Sequence, residues 1–318
     1  MLLAGLALLL AGAAAAANGG FTPVTPESPN AKGINTSYYL ILALTGAVFL
    51  LVEGALVVFI VRFRSRGRGR EVEGPQIRGN TQLELIWTVI PVLILAAIAS
   101  FVFVKLPGIK NVPSASAAGG RLEVRVEGHQ FYWQFVYPNG VIAVDRLRVP
   151  LGQVVKLDIT SPDVNHSWWI PALGGKLDAI PGRTNRTWFR AEKLGVYRGQ
   201  SAEFCGIQHA AMTATVEVLP KTDFERWLAR QAAAQKAGAS ALGRETFAGV
   251  CAKCHNLRGP SLIGPSLAGS ALLNDAKGIT ELLRNGGIRM PAVGKDWSNA
   301  QIRAVIAYLR KAGAPSGG

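Results

Sequence analysis

Two long apolar runs dominate the first third of the chain. Tyr38 to Val61 is interrupted only by Glu53, and Leu85 to Leu106 is uncharged until Lys105. Each run is long enough to cross a bilayer core of about 30 Å as a helix, whereas the buried helices of soluble proteins are rarely apolar over about 18 residues. The pattern therefore predicts a transmembrane hairpin over residues 38–106.

An earlier apolar stretch, residues 2–16, leads into small residues and then Asn18-Gly19-Gly20. This arrangement is typical of the apolar core and cleavage site of a secretory signal peptide, although the usual basic segment before the core is missing. We expect residues 1–20 to be a signal peptide. Residues 21–37, which are rich in Pro, Asn, Thr and Gly, are expected to form an exported linker.

From Arg121 to Pro220 the pattern changes to an alternation of period two. Apolar residues alternate with polar ones at Leu122, Val124 and Val126, at Val155, Leu157 and Ile159, and at Val216 and Val218. Turn residues such as Pro138-Asn139-Gly140 and Pro181-Gly182 separate these short segments. The sequence therefore predicts a compact β-sandwich or barrel over residues 120–220.

The remainder of the chain favours helices. Thr222 to Glu225 has the form of a capping box and predicts a short helix through Trp227 and Leu228. A linker rich in Ala, Gln, Gly and Ser (residues 232–240) completes the helix-and-linker segment 221–240, and a helical module follows over residues 241–314. Its final helix is predicted to be capped by Ser298 with Gln301 and to present Ile302, Val305, Ile306 and Leu309 on one face.

The formal net charge of +14 is explained in part by the loop between the two apolar runs. Six arginines crowd this loop: Arg62, Arg64, Arg66, Arg68, Arg70 and Arg78. The positive-inside rule places the loop in the cytoplasm and everything after Pro107 on the exported side. We expect a multi-pass protein of the plasma membrane, with the lipid bilayer as a partner and the later domains on the periplasmic or extracellular side. No basic patch is interleaved with aromatic residues, so nucleic acid is not an expected partner.

Sulfur-containing and imidazole side chains are few, and they fall into two clusters. The cysteines are Cys205, Cys251 and Cys254, the histidines are His129, His166, His209 and His255, and the methionines after Met1 are Met212 and Met290. An odd, low number of cysteines argues against a disulfide framework. Exported cysteines without disulfide partners usually bind a metal or a haem.

The first cluster is the segment Cys251-Ala-Lys-Cys254-His255, the attachment pattern of c-type haem. Thiols one helical turn apart reach both vinyl groups of the porphyrin, and the adjoining imidazole binds the iron. Met290 is the only methionine downstream, and Pro291 disfavours helical geometry there, so Met290 is the expected second iron ligand. Ligation by Met and His suits electron transfer.

Other sites could use the same two cysteines. Half of a zinc site would want a second pair of ligands, and this module has no other Cys or His. A thioredoxin-like redox pair would want a βαβ context, whereas this module is predicted to be all helix. Covalent haem c is therefore the favoured interpretation.

The second cluster lies in the β-domain. His166, Cys205, His209 and Met212 supply two imidazoles, one thiolate and one thioether, three of them on a single tight loop. Soft sulfur combined with imidazole on a β-sandwich indicates copper. Zinc could use the same residues, but a thioether is a poor zinc ligand. Simple core packing of the Cys and Met would leave the two histidines beside them unexplained.

These segments resemble cytochrome c oxidase subunit II from the first apolar run to about Trp227. That family has the copper loop Cys-x-Glu-x-Cys-Gly-x-x-His-x-x-Met, and residues 201–212 follow it except at the first position. The other matching segments are Gly128-His-Gln-Phe-Tyr-Trp133, Asp178-Ala-Ile-Pro-Gly-Arg183 and Glu84-Leu-Ile-Trp-Thr88. The resemblance implies a two-helix transmembrane hairpin followed by a cupredoxin-like β-sandwich.

The C-terminal module resembles class I cytochrome c, an all-α domain. The matching segments are Gly264-Pro265, Arg284-Asn-Gly-Gly287 and Met290-Pro291. The resemblance implies that the carbonyl of Pro265 orients His255. The expected whole is a multidomain membrane protein with a membrane hairpin, a cupredoxin-like domain and a fused cytochrome c domain.

Two positions depart from the family pattern. Ser201 stands where the family has its first bridging cysteine, and a hard hydroxyl cannot replace a soft thiolate between two coppers. The remaining ligands suit a mononuclear blue-copper site, so we expect one copper, or none on a retained fold. Phe131 stands where the family has the tryptophan at which electrons from soluble cytochrome c arrive. The fused cytochrome changes the task of that surface, and an ordinary hydrophobic exchange is an equal alternative.

The resemblance also implies roles for two acidic residues. Glu84, at the end of a membrane helix, would take up protons for the partner subunit's channel, with a solvated interfacial acid as the alternative. Glu203 would offer its backbone carbonyl to copper and its side chain to a magnesium ion at the interface with subunit I.

The chain carries no candidate nucleophile or general base, so we expect it to conduct electrons and to hold no catalytic residue. The resemblance implies an electron-input subunit of a haem–copper oxidase that passes electrons from a soluble or membrane donor through haem c and copper. They would reach subunit I, where oxygen becomes water and protons are pumped; other oxidase subunits are implied partners.

Two alternatives stay open at this point. One is a structural subunit with a vestigial copper fold, like the similar quinol oxidase subunits, although a covalent haem counts against it. The other is a degenerate paralogue whose haem c serves a different membrane partner.

Overall fold

A computed structural model describes residues 23–64, 76, 78–114, 120–236 and 240–313. The predicted signal peptide (residues 1–20) and Arg66, Arg68 and Arg70 lie outside the described residues. By its internal contacts the chain divides into two units, one of residues 32–109 and one that contains the chain from Lys110 onward together with the segment before Lys32.

The smaller unit is a pair of long apolar helices, α1 (Pro29–Arg62) and α2 (Thr81–Lys110). Their mean hydropathies reach 2.5 and 2.6 over the most apolar stretches, and none of those stretches is buried within the protein. Both helices therefore qualify as membrane spans by length and composition. Each helix begins earlier than the apolar run predicted. Helix α1 begins at Pro29 because proline suits the first position of a helix. Asn80 caps α2, since its Oδ1 accepts a hydrogen bond from the backbone N–H of Leu83 at 3.1 Å.

The β-domain is a sandwich of two five-stranded sheets with the orders β3-β2-β1-β5-β8 and β4-β10-β9-β6-β7. In the described residues the strands are β1 (Arg121–His129), β2 (Tyr132–Val136), β3 (Ile142–Val144), β4 (Arg146–Pro150), β5 (Val154–Thr160), β6 (His166–Trp169), β7 (Leu177–Ala179), β8 (Asn185–Phe189), β9 (Gly195–Ser201) and β10 (Thr213–Leu219). Alternate residues of β1 are buried between the sheets, as the period-two pattern predicts. The sandwich prediction is confirmed.

Helix α3 (Lys221–Lys236) follows β10 and is longer than predicted. It begins one residue before Thr222, and Phe224 and Trp227 are buried in the core of the sandwich. The helix continues through the segment that the sequence assigned to a linker because alanine and glutamine are good helix formers. The side chain of Gln235 bonds both the N–H and the C=O of Ile142, at 2.9 and 2.7 Å.

The C-terminal module contains α4 (Ser240–Gly249), α5 (Ala276–Asn285) and α6 (Asn299–Gly313), joined by loops with short 3₁₀ turns. Ser298 caps α6 as predicted, since its Oγ accepts from the N–H of Gln301 at 3.2 Å. The predicted apolar face of α6 is buried in a core with Cys251 and Trp297. Tyr132 and Val144, both from the sandwich, are buried in this same core. The two domains therefore pack directly against each other.

Candidate metal centres

The loop between β9 and β10 brings three of the predicted copper ligands together. The Sγ of Cys205 lies 3.5 Å from Nδ1 of His209 and 3.7 Å from Sδ of Met212. Cys205 and Met212 are buried, and a 3₁₀ turn over His209–Ala211 sets the spacing between the imidazole and the thioether. A thiol, an imidazole and a thioether in contact form the kind of soft donor set that copper prefers.

His166 begins β6 and is completely buried. Its Nε2 lies 2.8 Å from Oδ1 of Asp163, and its buried Nδ1 has no hydrogen-bond partner in the described part of the protein. A buried nitrogen without a partner is costly unless it binds something else, as a metal ligand does. Gly128 lies against this ring, since a Cβ there would come within 2.9 Å of the imidazole Cδ2.

Cys205, His209 and Met212 are in contact and offer donors suited to a single soft metal ion. Among the residues that the structure describes, no three side chains of the His, Cys, Asp and Glu types converge as a ligand cluster. The donor set therefore depends on the thioether of Met212 and on the unpaired Nδ1 of His166. Burial raises the pKa of the Cys205 thiol, and a nearby hydrogen bond with Ser201 opposes that shift.

Ser201 occupies the position of the family's first cysteine and is fully integrated in the fold. Its Oγ accepts a hydrogen bond from the N–H of Ser167 at 3.3 Å and donates one to the carbonyl of Glu203 at 3.1 Å. Its own backbone N–H donates to the carbonyl of Met212 at 2.9 Å. The hydroxyl thus lies beside the copper ligands but is a poor bridge between soft metal ions.

The haem-attachment segment is a tight 3₁₀ turn over Cys251–Lys253. The backbone N–H of His255 donates to the carbonyl of Cys251 at 2.8 Å, so both thiols and the imidazole belong to one compact turn. The Nδ1 of His255 lies 2.8 Å from the carbonyl oxygen of Pro265, which is the contact that the resemblance implied. Because a carbonyl only accepts, Nδ1 carries the proton and Nε2 is the nitrogen that can bind iron.

Met290 lies on the loop between α5 and α6 and packs, partly buried, against the core that contains Cys251. Its carbonyl accepts from the N–H of Gly287 at 2.8 Å. Gly286 has φ +74°, and a Cβ there would come within 2.7 Å of the same carbonyl. The loop therefore needs glycine at position 286 to hold Met290 against the core that contains Cys251.

The protonation of the two module cysteines argues against a redox pair. Burial raises the pKa of the Cys251 thiol to about 12 and that of Cys254 above its usual range. A thioredoxin-type pair needs a thiol with a lowered pKa, because the thiolate is the nucleophile. The geometry and chemistry of Cys251, Cys254, His255 and Met290 fit a covalent haem.

The two acidic residues have other contacts. The carboxylate of Glu84 accepts from the backbone N–H of Asn80 at 3.3 Å, so it helps to cap α2. Glu203 is exposed, and its carbonyl accepts the hydrogen bond from Ser201. Neither contact supports proton uptake or magnesium binding.

The sequence analysis missed several residues that contact the candidate sites. Asp163 orients His166, and the spacing of three residues between them could have suggested the pair. Lys253, Asp145 and Tyr132 join the two domains, and their partners lie far apart in sequence. No local pattern could have found those contacts.

Three family models match the chain. Cytochrome C oxidase subunit II, transmembrane domain, matches residues 17–104, and the periplasmic domain of the same subunit matches residues 140–219. Cytochrome C oxidase, cbb3-type, subunit III, matches residues 238–309. Together they span the hairpin, most of the sandwich and the helical module.

The names of curated relatives agree with these matches. Cytochrome c oxidase subunit 2 of Alkalihalophilus pseudofirmus is 31% identical, over 91% of this chain and 90% of the relative. A probable cytochrome c oxidase subunit 2 of Rickettsia bellii is 35% identical, over 66% of this chain and 82% of its own length. The crystal structure of the periplasmic domain of subunit II of cytochrome oxidase from Bradyrhizobium japonicum is 33% identical, with a TM-score of 0.35, and covers 38% of this chain and 96% of that domain.

Proposed function

The chain belongs to the cytochrome c oxidase subunit II family, and from this premise we propose that it is the electron-input subunit of a haem–copper terminal oxidase. It is a membrane protein with its sandwich domain outside the cell, part of an enzyme with further subunits. The finer proposal is that electrons from a soluble or membrane donor reach subunit I through this chain. Oxygen reduction to water and proton pumping would follow there, in the plasma membrane.

The observation that carries this proposal is the position of one strand, β2, between the two centres. Tyr132 is buried in the core of the cytochrome module, and Trp133, the next residue, faces the other way and packs edge-on against His166 with ring centroids 6.0 Å apart. Successive side chains of a strand point to opposite faces. Strand β2 therefore contacts both the core of the cytochrome module and His166, and these contacts support a short electron path between the two proposed centres.

Each candidate ligand has a defined role in this proposal. Cys251 and Cys254 would attach the haem, and His255 and Met290 would bind its iron, with Pro265 orienting the imidazole. His166, Cys205, His209 and Met212 would bind copper, with Asp163 orienting His166. When bound, haem c and copper supply one-electron carriers whose potentials depend on these ligands.

We propose a single copper ion at the second centre, because Ser201 offers a hydroxyl where a second bridging thiolate would be needed. The test is the metal content per haem of the purified protein, together with electron paramagnetic resonance. One copper per haem with a mononuclear spectrum is expected. The multi-line spectrum of two equivalent coppers sharing an electron would contradict the proposal.

The conduction proposal is tested in the reconstituted oxidase by comparing the oxidation of reduced cytochrome c with that of a quinol. Oxygen consumption with reduced cytochrome, lost when the haem is absent, is expected. If only the quinol supports turnover, the chain is instead a structural subunit with a vestigial copper fold, the alternative that Ser201 favours. Proton uptake at Glu84 and a magnesium ion at Glu203 stay predictions from the family resemblance.

A further inference from the structure

Lys253 lies inside the haem-attachment segment, between the two cysteines, and its side chain reaches into the β-domain. The Nζ lies 2.6 Å from Oδ2 of Asp145 and donates a hydrogen bond to the carbonyl of Phe131, also at 2.6 Å. The side chains of Lys253 and Asp145 are only 14% and 20% exposed. A charge so far withdrawn from water is costly unless its partners are well placed.

Asp145 is held in place by the sandwich independently of Lys253. Its Oδ1 accepts from the backbone N–H of Trp133 at 2.8 Å, and its own N–H donates to the Trp133 carbonyl at 2.8 Å. Its carbonyl accepts from the N–H of Thr215 at 2.9 Å. Its φ of +55° is uncommon for a residue other than glycine and tolerated best by Asp and Asn. Asp145 is therefore a fixed acceptor that the sandwich presents to the cytochrome module.

Phe131, which accepts a hydrogen bond from Lys253, and its neighbour Gln130 also contact the copper loop. Gln130 donates from Nε2 to the carbonyl of Cys205 at 2.6 Å. Gly206 lies against Phe131, since a Cβ there would come within 3.1 Å of the ring Cε1. Lys253 thus connects the haem-attachment segment, through residues 130 and 131, to the backbone of the copper loop.

We propose that Lys253 is a positioning residue for electron transfer within the chain, an inference that rests on the proposed function. It fixes the haem-attachment segment against Phe131 and Asp145, and so sets the gap between the haem edge and the copper loop. Because electron tunnelling slows steeply as the gap between carriers widens, a fixed short gap gives a fast and uniform rate.

Other contacts between the domains allow this role to be separated from folding. Trp297 donates from Nε1 to the hydroxyl of Tyr132 at 2.7 Å, and Gln301 donates from Nε2 to Oε1 of Gln134 at 3.1 Å. A third contact joins Arg148 and Glu245 at 3.3 Å. These contacts hold the domains together without Lys253, so removing its charge is expected to change alignment more than folding.

The test uses the full chain in its oxidase, with Lys253→Met, the conservative variant Lys253→Arg, and Lys277→Met as a control. Lys277 lies in the same module but is 88% exposed, where a charge contributes little. For Lys253→Met we expect transfer from reduced haem to copper to slow about tenfold or more. Hydrogen exchange across residues 129–134 should quicken about tenfold or more. Haem content should stay unchanged.

Lys253→Arg should restore most of the rate, and Lys277→Met should behave like the parent protein. If Lys253→Met fails to accumulate, Asp145→Asn tests the same link, because Asn keeps an acceptor for the Trp133 N–H while removing the ion pair. If Lys253→Met, or Asp145→Asn in its place, keeps the parent rates of electron transfer and hydrogen exchange, the positioning role of Lys253 is wrong. The proposed function would not be affected by that result. If the parent protein itself passes no electron from haem to the oxidase, the proposed function fails and the inference with it.

Discussion

The haem-attachment segment and the copper loop differ in how their ligands are brought together. Cys251, Cys254 and His255 are nearly adjacent in sequence and form one turn, held by the bond from the His255 N–H to the Cys251 carbonyl. The candidate copper ligands come from β6 and from the β9–β10 loop, so the sandwich must fold before they can meet. The first set depends on local geometry and the second on tertiary structure.

The two centres differ also in completeness. The haem-attachment segment carries both cysteines and the histidine of its motif, whereas the proposed copper loop has Ser201 where the family pattern has a cysteine. The serine makes two hydrogen bonds and is almost fully buried, so the loop keeps its shape without the thiol. The shape of this loop is therefore stabilised without the missing thiol, because backbone and hydroxyl hydrogen bonds hold it independently of any metal.

The largest expected effect comes from replacing the cysteines of one proposed centre at a time, which should remove one cofactor and leave the other bound. Replacing both Cys251 and Cys254 by serine removes the thiols that attach the haem, so covalent haem should fall to zero while copper binding persists. Cys205→Ser is the matched change at the other centre and should abolish copper binding while the haem stays attached, because a hydroxyl is a poor ligand for copper. Haem absorbance after denaturation and copper analysis measure both. Loss of haem in Cys205→Ser would show that the centres are not independent.

The next effect restores the missing ligand. Ser201→Cys places a second thiol beside Cys205, and we expect the copper content to rise from one to two ions per chain with a multi-line paramagnetic spectrum. Ser201→Ala is the control, since it removes the hydroxyl and adds no thiol, and it should leave the copper content unchanged. A copper content of one in Ser201→Cys would show that features other than Ser201 prevent a dinuclear centre.

Much of this architecture could be predicted from the sequence because its signals are local. The lengths of the two apolar runs predicted both membrane helices, and the alternation of apolar and polar residues predicted the sandwich. The capping residue Ser298 predicted the start of α6. The candidate haem ligands follow from one short motif and a single downstream methionine. The contacts of Cys205 with His209 and Met212 were also predictable, because the three residues lie on one loop.

The remainder depends on contacts between distant segments. Helix propensity allows α3 to continue to Lys236, but the two hydrogen bonds between Gln235 and Ile142 of β3 are a tertiary pairing that the local sequence does not specify. Lys253 occupies a variable position of the haem motif, so nothing local distinguishes it from a solvated lysine. Its partner Asp145 becomes recognisable only once the left-handed turn after β3 is formed.

Two glycines offer a smaller and symmetrical test of the centres. A Cβ at Gly128 would come within 2.9 Å of the His166 ring, and one at Gly264 within 2.3 Å of the His255 ring. Overpacking of this kind costs about 1–3 kcal/mol. Gly128→Ala should weaken copper binding and leave the haem spectrum unchanged. Gly264→Ala should change the haem spectrum and leave copper binding unchanged. Titration with copper and the haem absorbance report the outcome, and a change at both centres in either variant would contradict it.

The smallest expected effect is on the free energy of unfolding, and it comes from substituting either of two buried tyrosines of the same sandwich. Burial raises the pKa of both hydroxyls, so both stay protonated near neutral pH. The Tyr132 hydroxyl donates to the Val293 carbonyl at 3.2 Å and accepts from Trp297, so it joins the domains. The Tyr137 hydroxyl bonds the backbone of Arg148 within the sandwich.

Replacing either tyrosine by phenylalanine should lower the free energy of unfolding by about 1 kcal/mol. The location of the loss should differ between the two variants. Tyr132→Phe should quicken hydrogen exchange in the segment of residues 290–301, because Trp297 loses the acceptor that ties its loop to β2. Tyr137→Phe should leave that segment unchanged and quicken exchange in β4. Equal exchange in residues 290–301 for both variants would mean that the domains associate without help from Tyr132, and that their contact is less specific than the hydrogen bonds between them indicate.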